Sequence, residues 1–490
     1  MKTKNILTMA ALALTFVACS NEDEIYMTPS QSVDNSNNNE ITITATLAPK
    51  GNDGMRDVSD KGTYIESKWK AGEHLAILYT KDGNQIADAE ILSVDGTGAA
   101  TITFSVLSGT ADNTNCQIIY PKSAAKDDHS GVKDAATLLA AQDGTLNANL
   151  DVRVGAGKIQ VSTPSLDVTT QPAAQFSIFK FTIQNLSSTA KTATEFKVSD
   201  NSGNVITTVT PGSATGTLYV ALPALATGLY WFNATIDSKA YIANANISAA
   251  TTTGKYYQST IKFATIGDVI LSNGKFATKG TSGEQAVIAY VGKVDKYFDK
   301  FLALALTDAN DNKITQANAL TAVGTYAAAH AITIGSTTYN TSIAYHTNGH
   351  GETFYDEVHN NQSTSSANAT ELQTGWRMPS VTDWRYIFDG LGRQKGGLNI
   401  TDGTNPVTPT SPLGLYDSIW YRDGSNGYTL ADAINSACGN TALKKDKGYW
   451  SCSRYWNGAG NQEWSYSINQ GQFAWAYNYG EFYVRACFAF

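Results

Sequence analysis

Short segments of alternating apolar and polar residues recur through the first half of the chain and constrain its fold most strongly. The first runs from Ile41 to Leu47, where apolar residues alternate with threonine, which is the two-residue period of a half-buried strand. Further strand-like segments, some alternating and some continuously apolar, follow at 75–79, 100–106, 117–120, 176–183, 195–198, 205–209, 217–222, 229–236 and 256–263. Short strands separated by turn residues at this spacing predict antiparallel β-sandwiches.

The composition supports secreted β-rich domains rather than a nucleic-acid-binding protein. Only 16% of the 490 residues are charged, the net charge is −8, and no basic patch stands out. A protein of this charge lacks the electrostatic footprint that binds phosphates. The length is enough for several domains whose hydrophobic cores need no dense set of disulfides.

The N-terminus has the features of an export signal. Lys2 and Lys4 precede an apolar run at 6–17, and Ala18 and Cys19 follow this run directly. A run this short predicts a signal peptide over 1–19 rather than a mature membrane helix. A small residue directly before cysteine is typical of a lipoprotein signal, so we expect Cys19 to be lipidated and to be the chain's only membrane attachment. The alternative is an ordinary secretory signal with an incidental cysteine.

The segment after Cys19 predicts a flexible tether over 20–39. It is rich in serine and asparagine and begins with the acidic run 22–24. This acidic start resembles the surface-export signal of Bacteroidota lipoproteins, which implies a place on the outer membrane and cell surface. A simple solvated tether is the alternative.

The last part of the chain has mixed helical and strand signals. Ser380 with Asp383, and Thr429 with Asp432, predict two capped helices, the second of which ends at Gly439. Alternate apolar residues at 482–490 predict a buried final strand in the core of its own domain.

The first half resembles the fimbrillin family, the type V pilins of Bacteroidales. The resemblance rests on the lipoprotein signal, the first strand, and the segments 69–79, 218–223 and 254–257. It implies two transthyretin-like or Greek-key sandwiches, expected at 40–164 and 165–265. It also implies cleavage by a trypsin-like protease between Arg56 and Asp57, release of the first strand, and its replacement by a strand of another fimbrial subunit. The alternative is that Arg56 is an ordinary loop residue.

The second half resembles a C-type-lectin-like bacterial surface domain of the FISUMP type. Three separated elements carry the resemblance, at 375–380, 448–453 and 484–486. It implies an α+β domain over 266–490, so the whole chain is expected to be mainly β.

An aromatic-rich stretch near the C-terminus is the candidate ligand site. Flat rings beside amides and carboxylates suit a glycan or a protein ligand. The candidate residues are Trp456, Asn457, Asn461, Glu463, Tyr466, Trp475, Tyr477 and Tyr479. Core packing of the same rings is the alternative, and Trp450 and Trp464 are expected in the core.

Cysteine and histidine give weaker signals. Cys452 and Cys487 are one candidate disulfide pair, although the sequence alone does not fix the pairing. Four of the six histidines lie between 330 and 359, where glycines favour a polar surface loop over a metal site. We expect no metal and no cofactor.

These observations together predict a fimbrial subunit that works by binding, either a tip adhesin or a minor pilin. Its C-terminal domain would bind a host or bacterial ligand. A final strand within its own core is not free to be donated, which favours a place at the tip. The competing structural idea is that residues 481–490 are themselves the donor strand. A surface lipoprotein that does not polymerise is the alternative function. An enzyme ranks last, because only the related fold of sulfatase-modifying enzymes favours it.

Overall fold

The computed structural model describes residues 40–48, 59–60, 65–66, 68–293, 298–342, 374–392, 401–402, 405–406, 419–420, 428–439, 443–445, 448–455, 462–468, 470–477 and 480–490. The chain divides into two compact units, the first mainly residues 1–261 and the second mainly residues 262–490. Within the described ranges, no helix combines the length and the apolar character needed to cross a bilayer.

The first unit is built almost entirely from strands. They are β1 (Glu40–Leu47), β2 (Ser59–Asp60), β3 (Ile65–Glu66), β4 (His74–Thr80), β5 (Asn84–Val94), β6 (Ala100–Leu107), β7 (Thr114–Tyr120), β8 (Arg153–Gln160), β9 (Ser165–Ala174), β10 (Ser177–Asn185), β11 (Glu195–Ser199), β12 (Val205–Val209), β13 (Thr217–Leu222), β14 (Gly228–Ile236), β15 (Lys239–Ile247) and β16 (Tyr256–Phe263). One helix, α1 (Ala135–Ala140), and short 3-10 turns at Lys122–Ala124 and Ala148–Leu150 interrupt them.

A seven-stranded antiparallel sheet forms the first half of this unit, in the order β1-β6-β5-β4-β7-β8-β9. The sheet curls enough to bring β1 and β9 into contact. Its central strand β4 is buried on both faces: Leu75 and Ile77 lie in one apolar cluster, and Ala76 and Leu78 lie in another. The sheet continues to Ala174, past the boundary at residues 164 and 165 that the sequence predicts, because β9 pairs with β8.

Two smaller sheets form the rest of the first unit, in the orders β13-β10-β16 and β12-β11-β14-β15. Aromatic rings fill the space between them: Phe181 lies 5.2 Å from Phe196 and 5.7 Å from Phe232, measured between ring centroids. The side chain of Gln142 donates to the carbonyl of Ala221 at 3.0 Å and accepts from its N–H at 2.6 Å. This buried amide fixes the segment after α1 against β13.

The second unit combines strands with three longer helices. The strands are β17 (Val269–Leu271), β18 (Phe276–Ala277), β19 (Glu284–Val291), β20 (Phe301–Ala305), β21 (Ile332–Ile334), β22 (Thr337–Tyr339), β23 (Gly375–Arg377), β24 (Thr401–Asp402), β25 (Asn405–Pro406), β26 (Ile419–Trp420), β27 (Gly448–Tyr455), β28 (Gln462–Ser467), β29 (Gln472–Tyr477) and β30 (Cys487–Ala489). The helices are α2 (Gln316–Ala329), α3 (Val381–Ile387), which continues as a π-turn over Phe388–Gly392, and α4 (Tyr428–Cys438). The main sheets have the orders β18-β17-β19-β20-β30-β23 and β26-β29-β28-β27.

The two predicted helices are present, and one predicted cap is wrong. The side chain of Ser380 accepts from the N–H of Asp383, and Asp383 accepts from the N–H of Ser380, which is the predicted capping box. The second helix already begins at Tyr428, so Thr429 lies inside its first turn instead of capping it. It ends as predicted before Gly439, whose φ of +87° favours glycine.

Candidate functional site

Strand β1 is the edge of the seven-stranded sheet and pairs with β6 along its whole length. Its register places Ile43 opposite Phe104, and Leu47 opposite Ala100. Ile43 and Leu47 are fully buried, as the alternation predicts, while the threonines between them are half-buried. Among the residues that the structure describes, β6 is the only strand that forms a ladder with β1. The strand is therefore held by one row of backbone hydrogen bonds and one apolar face.

The apolar face of β1 packs into a slot lined by buried residues of the same sheet. Ile91, Ile102 and Phe104 belong to the same buried cluster as Ile43 and Leu47. Trp69 closes the end of the slot, where its Nε1 donates to the carbonyl oxygen of Ala48 at 3.1 Å. Burying an isoleucine or leucine side chain contributes about 1.5–3 kcal/mol, so an empty slot is strongly unfavourable.

The polar face of β1 adds only weak contacts. Thr103 Oγ1 donates to the carbonyl oxygen of Ile43 at 3.3 Å, and the hydroxyls of Thr42 and Ser105 are 3.4 Å apart. Most of the affinity of the slot for a strand must therefore come from apolar burial and from the main-chain ladder, which another alternating strand can also supply.

The predicted maturation site adjoins this strand in sequence. Arg56 and Asp57 follow the end of β1 by nine and ten residues, and they lie outside the described residues, as does the predicted lipid site Cys19. The lipidation and the cleavage stay predictions.

Strand β30, the last of the chain, lies inside the second unit. It pairs with β20 on one edge and with β23 on the other. The terminal carbonyl oxygen of Phe490 accepts from the N–H of Phe301 at 2.9 Å. The predicted buried final strand is confirmed, because Val484 and Phe488 are fully buried. Arg485, Cys487 and Ala489 are buried as fully, so both faces of this segment are covered.

The three sequence elements at 375–380, 448–453 and 484–486 come together in the second unit. Trp384, in the helix after the first element, donates from Nε1 to the carbonyl oxygen of Trp450 at 3.2 Å. The backbone N–H of Trp450 donates to the carbonyl oxygen of Tyr483 at 3.0 Å. The backbone N–H of Cys452 donates to the carbonyl oxygen of Pro379 at 2.9 Å. Trp450 is fully buried, which confirms its predicted place in the core.

Two buried ion pairs fix these elements, and the sequence reasoning missed both pairs. Arg377 contacts Asp383 through two hydrogen bonds, at 2.7 and 3.0 Å, and both side chains are fully buried. Arg485 Nη1 lies 3.2 Å from Asp308 Oδ1. Burial raises the pKa of Asp308 above its usual value, although the Arg485 guanidinium and the Tyr449 hydroxyl lower it. The signal available in the sequence was an arginine inside an otherwise apolar final segment.

Of the predicted ligand residues, some lie in strands β28 and β29 and others lie outside the described residues. Glu463 lies in β28, and Trp475 and Tyr477 lie in β29. Tyr466 is only 2% exposed, and its ring centroid lies 4.5 Å from that of Phe388, so its assignment to a ligand surface is wrong. Outside the described residues lie Trp456, Asn457, Asn461, Tyr479 and the histidine-rich segment after residue 342.

The four cysteines in the described part of the chain are buried thiols. Cys452 and Cys487 are separate buried thiols, so the predicted disulfide is not formed. Burial raises the pKa of Cys487 well above the usual value. Among the described residues, no group of three histidine, cysteine or acidic side chains is arranged to hold a metal ion.

Comparisons with known proteins give only weak likenesses. No protein-family model matches the chain, and no curated protein matches it. The chain is similar to a fimbrial protein from Bacteroides ovatus, with 11% identity, a TM-score of 0.23, and coverage of 93% of this chain and 100% of that chain.

Two further solved structures cover less of the chain. One is a fimbrial assembly protein from Parabacteroides distasonis, with 11% identity, a TM-score of 0.27, and coverage of 45% of this chain and 90% of that chain. The other is the tip fimbrial protein Mfa3 from Porphyromonas gingivalis with C-terminal truncation, with 10% identity, a TM-score of 0.22, and coverage of 45% of this chain and 95% of that chain. Likenesses of this size carry no argument about the fold or the function of this chain.

Proposed function

We propose that the chain is a cell-surface fimbrial subunit, exported as a lipoprotein, that accepts a strand of another subunit in place of β1. The observation that carries the proposal is the geometry of β1: an edge strand with one ladder and one buried apolar face. The chain after β1 then enters a polar segment that contains Arg56. Cleavage there leaves β1 without a covalent connection to its sheet, and the emptied slot favours a new alternating strand.

The position of β30 supports a place at the tip of a fimbria. A subunit in the middle of a filament must donate a strand as well as accept one. In this chain the last strand has partners on both edges and is buried on both faces, so donating it would dismantle the second unit. A subunit that accepts a strand but donates none ends the filament, and its C-terminal lectin-like domain is then free to bind a glycan or protein ligand.

The second candidate is a surface lipoprotein that binds a ligand without polymerising. It is favoured by the completeness of the first sheet, in which β1 already occupies its slot. In both cases the protein works by binding.

N-terminal sequencing of the protein isolated from the cell surface tests the proposal. A polymerising subunit begins at Asp57, whereas the second candidate keeps an acylated Cys19. The variant Arg56→Ala should abolish the new N-terminus and the incorporation into filaments. Lys61→Ala, which removes a neighbouring basic residue, is the matched control and should leave both unchanged. A wild-type protein that remains uncut on fimbriate cells would overturn the proposal.

A further inference from the structure

A groove of about 510 Å³ lies over strands β4, β7 and β8 of the seven-stranded sheet. Leu78, Val154 and Ala156 give it an apolar lining. These residues lie near the middle of the sheet, whereas β1 lies at its edge. The groove is therefore a different feature from the slot that holds β1.

Backbone irregularities in β8 and in a neighbouring loop shape this groove. The pairing of β8 with β9 shifts register between Val154 and Ala156, and such a bulge bends the strand. Gly155 permits the bend, since a Cβ there would lie 2.6 Å from the carbonyl oxygen of Thr170. The loop at 126–131 forms one wall, where His129 has a φ of 59° and its N–H donates to the carbonyl oxygen of Lys126.

Uncharged polar side chains line the rest of the groove. Among them are Thr80, Asn115, Gln117, His129 and Thr170. None of these five side chains has a hydrogen-bond partner among the described residues, and each is exposed or half-buried. They offer amide, hydroxyl and imidazole groups that both donate and accept.

Charged side chains are absent from the described lining, which contains no aspartate, glutamate, lysine or arginine. This composition favours a neutral ligand over a phosphate, a sialylated sugar or a charged peptide, because a buried charge needs a partner.

The main chain beneath the groove is already paired. Strand β4 is bonded to β5 and β7, and β8 is bonded to β7 and β9. Strands β4 and β8 therefore offer a peptide strand no free backbone edge, unlike β6 after β1 has left, and recognition must come from the side chains. Several amides and hydroxyls around a small apolar floor match a sugar, which presents hydroxyls at its rim and C–H groups on its faces.

We propose that this groove is a binding site for a neutral oligosaccharide of two or three residues. Asn115 and Gln117 hydrogen-bond its hydroxyls, His129 covers it from the loop, and Ala156 contacts a C–H face. The site belongs to the first unit, so it adds a sugar contact separate from any ligand of the C-terminal domain.

Binding of the full-length secreted chain to immobilised oligosaccharides tests the proposal. The probes are neutral di- and trisaccharides built from galactose, mannose and N-acetylglucosamine, with sialylated and sulfated forms beside them. The double variant Asn115→Ala/Gln117→Ala should weaken binding of the recognised neutral sugar at least tenfold. Ala156→Phe, which fills the groove without removing a polar group, should abolish it.

The matched control is Asn246→Ala, which removes an exposed asparagine from β15 and should change the affinity less than twofold. Circular dichroism of each variant separates lost binding from lost folding. The proposal is overturned if the wild-type chain binds none of the neutral sugars, binds only charged sugars, or binds equally well in both groove variants.

The result is independent of strand exchange. The variant Arg56→Ala, which should fail to polymerise, keeps β1 in place and should bind the same sugar with unchanged affinity. If the groove binds no sugar, the assembly proposal still stands. If the chain is not cleaved, the sugar-binding proposal still stands.

Discussion

Strand β1 and the segment 482–490 that contains β30 are both predicted as strands from the sequence, but they have opposite structural roles. Strand β1 has a single ladder, with β6, and buries one face. Strand β30 has a ladder on each edge and buries both faces. The comparison shows that an alternating pattern predicts a strand but not its position in the sheet, and the position decides whether the strand can be exchanged.

The two strands also differ in the polar groups around them. Among the described residues, the side-chain hydrogen bonds around β1 include hydroxyl contacts of 3.3 and 3.4 Å and the bond from Trp69 to Ala48. The segment that leads into β30 includes Arg485 beside Asp308, and Arg377 pairs with Cys487 in the ladder. A strand fixed by buried ion pairs is costly to remove, because each removal leaves an unpaired charge.

The largest expected effect is that of removing the last four residues, 487–490. Phe488 and Phe490 are both buried, and truncating a buried phenylalanine alone costs about 3–5 kcal/mol. The total loss is comparable to the whole stability of a domain, so the second unit should unfold. Near-ultraviolet circular dichroism should lose the signals of its buried tryptophans. A truncated chain that kept those signals would show that β30, like β1, can be removed without unfolding its unit.

The next largest effect concerns the buried pair of Arg377 and Asp383. Arg377→Met should cost about 3–5 kcal/mol of unfolding free energy, because it leaves the Asp383 carboxylate buried without its partner. The double variant Arg377→Met/Asp383→Asn should recover at least half of that loss. Urea denaturation measures both.

The matched control is the exposed pair of Lys197 and Glu195, whose charged atoms are 2.9 Å apart. Lys197→Ala should cost less than about 1 kcal/mol. Equal losses in the buried and the exposed pair would contradict the role assigned to the buried one.

A smaller effect is expected in β1 itself. Ile43→Ala should lower the unfolding free energy of the first unit by about 2–4 kcal/mol, because it leaves a cavity against Phe104. After cleavage at Arg56, the same variant should release β1 faster than the wild type does. Thr46→Ala, on the half-buried face, is the control and should change neither quantity appreciably. Mass spectrometry of the released peptide measures the rate.

The smallest effect comes from an exposed ion pair in the first unit. Partial burial raises the pKa of Asp88, whereas hydrogen bonds from Lys122 and His74 lower it. The lowering is larger in sum, so the pKa of Asp88 lies below its usual value. A lowered pKa gives stability that is present above the ordinary pKa of an aspartate and is lost as the pH falls through the folded value. Asp88→Asn should therefore cost less than about 1 kcal/mol at pH 7, and its cost should be smaller at pH 3 than at pH 7. Denaturation of the wild type and the variant at both pH values measures this cost. A larger cost at pH 3 than at pH 7 would contradict a lowered pKa for Asp88.

Much of the strand pattern could be predicted from the sequence. The segments 205–209, 217–222 and 256–263 coincide with β12, β13 and β16, and the face of β1 is confirmed by the burial of Ile43 and Leu47. Strands β5, β8, β9 and β15 were not predicted. In β8, glycine and lysine interrupt the apolar period, and in β9 polar residues dominate, so local alternation was too weak there.

The candidate sites were harder to predict because they depend on long-range contacts. Tyr466 has the composition of a ligand-contacting ring, yet its neighbours Phe388 and Phe473 come from other elements and place it in the core. Asp308 and Arg485 are separated by 177 positions in the sequence (485 − 308), and no local motif contains both. The groove over β4, β7 and β8 arises from a bulge that sequence periodicity does not encode.

The central claim is that β1 can be replaced while β30 cannot. The direct test is to cleave the chain at Arg56, add an isotopically labelled peptide of residues 40–48 in mild denaturant, and measure incorporation by native mass spectrometry. The account predicts one labelled peptide per chain, no incorporation of a peptide in which Ile43 and Leu47 are aspartate, and no incorporation of a peptide of residues 484–490. A cleaved chain that never takes up the 40–48 peptide, or that takes up the 484–490 peptide equally well, would contradict it.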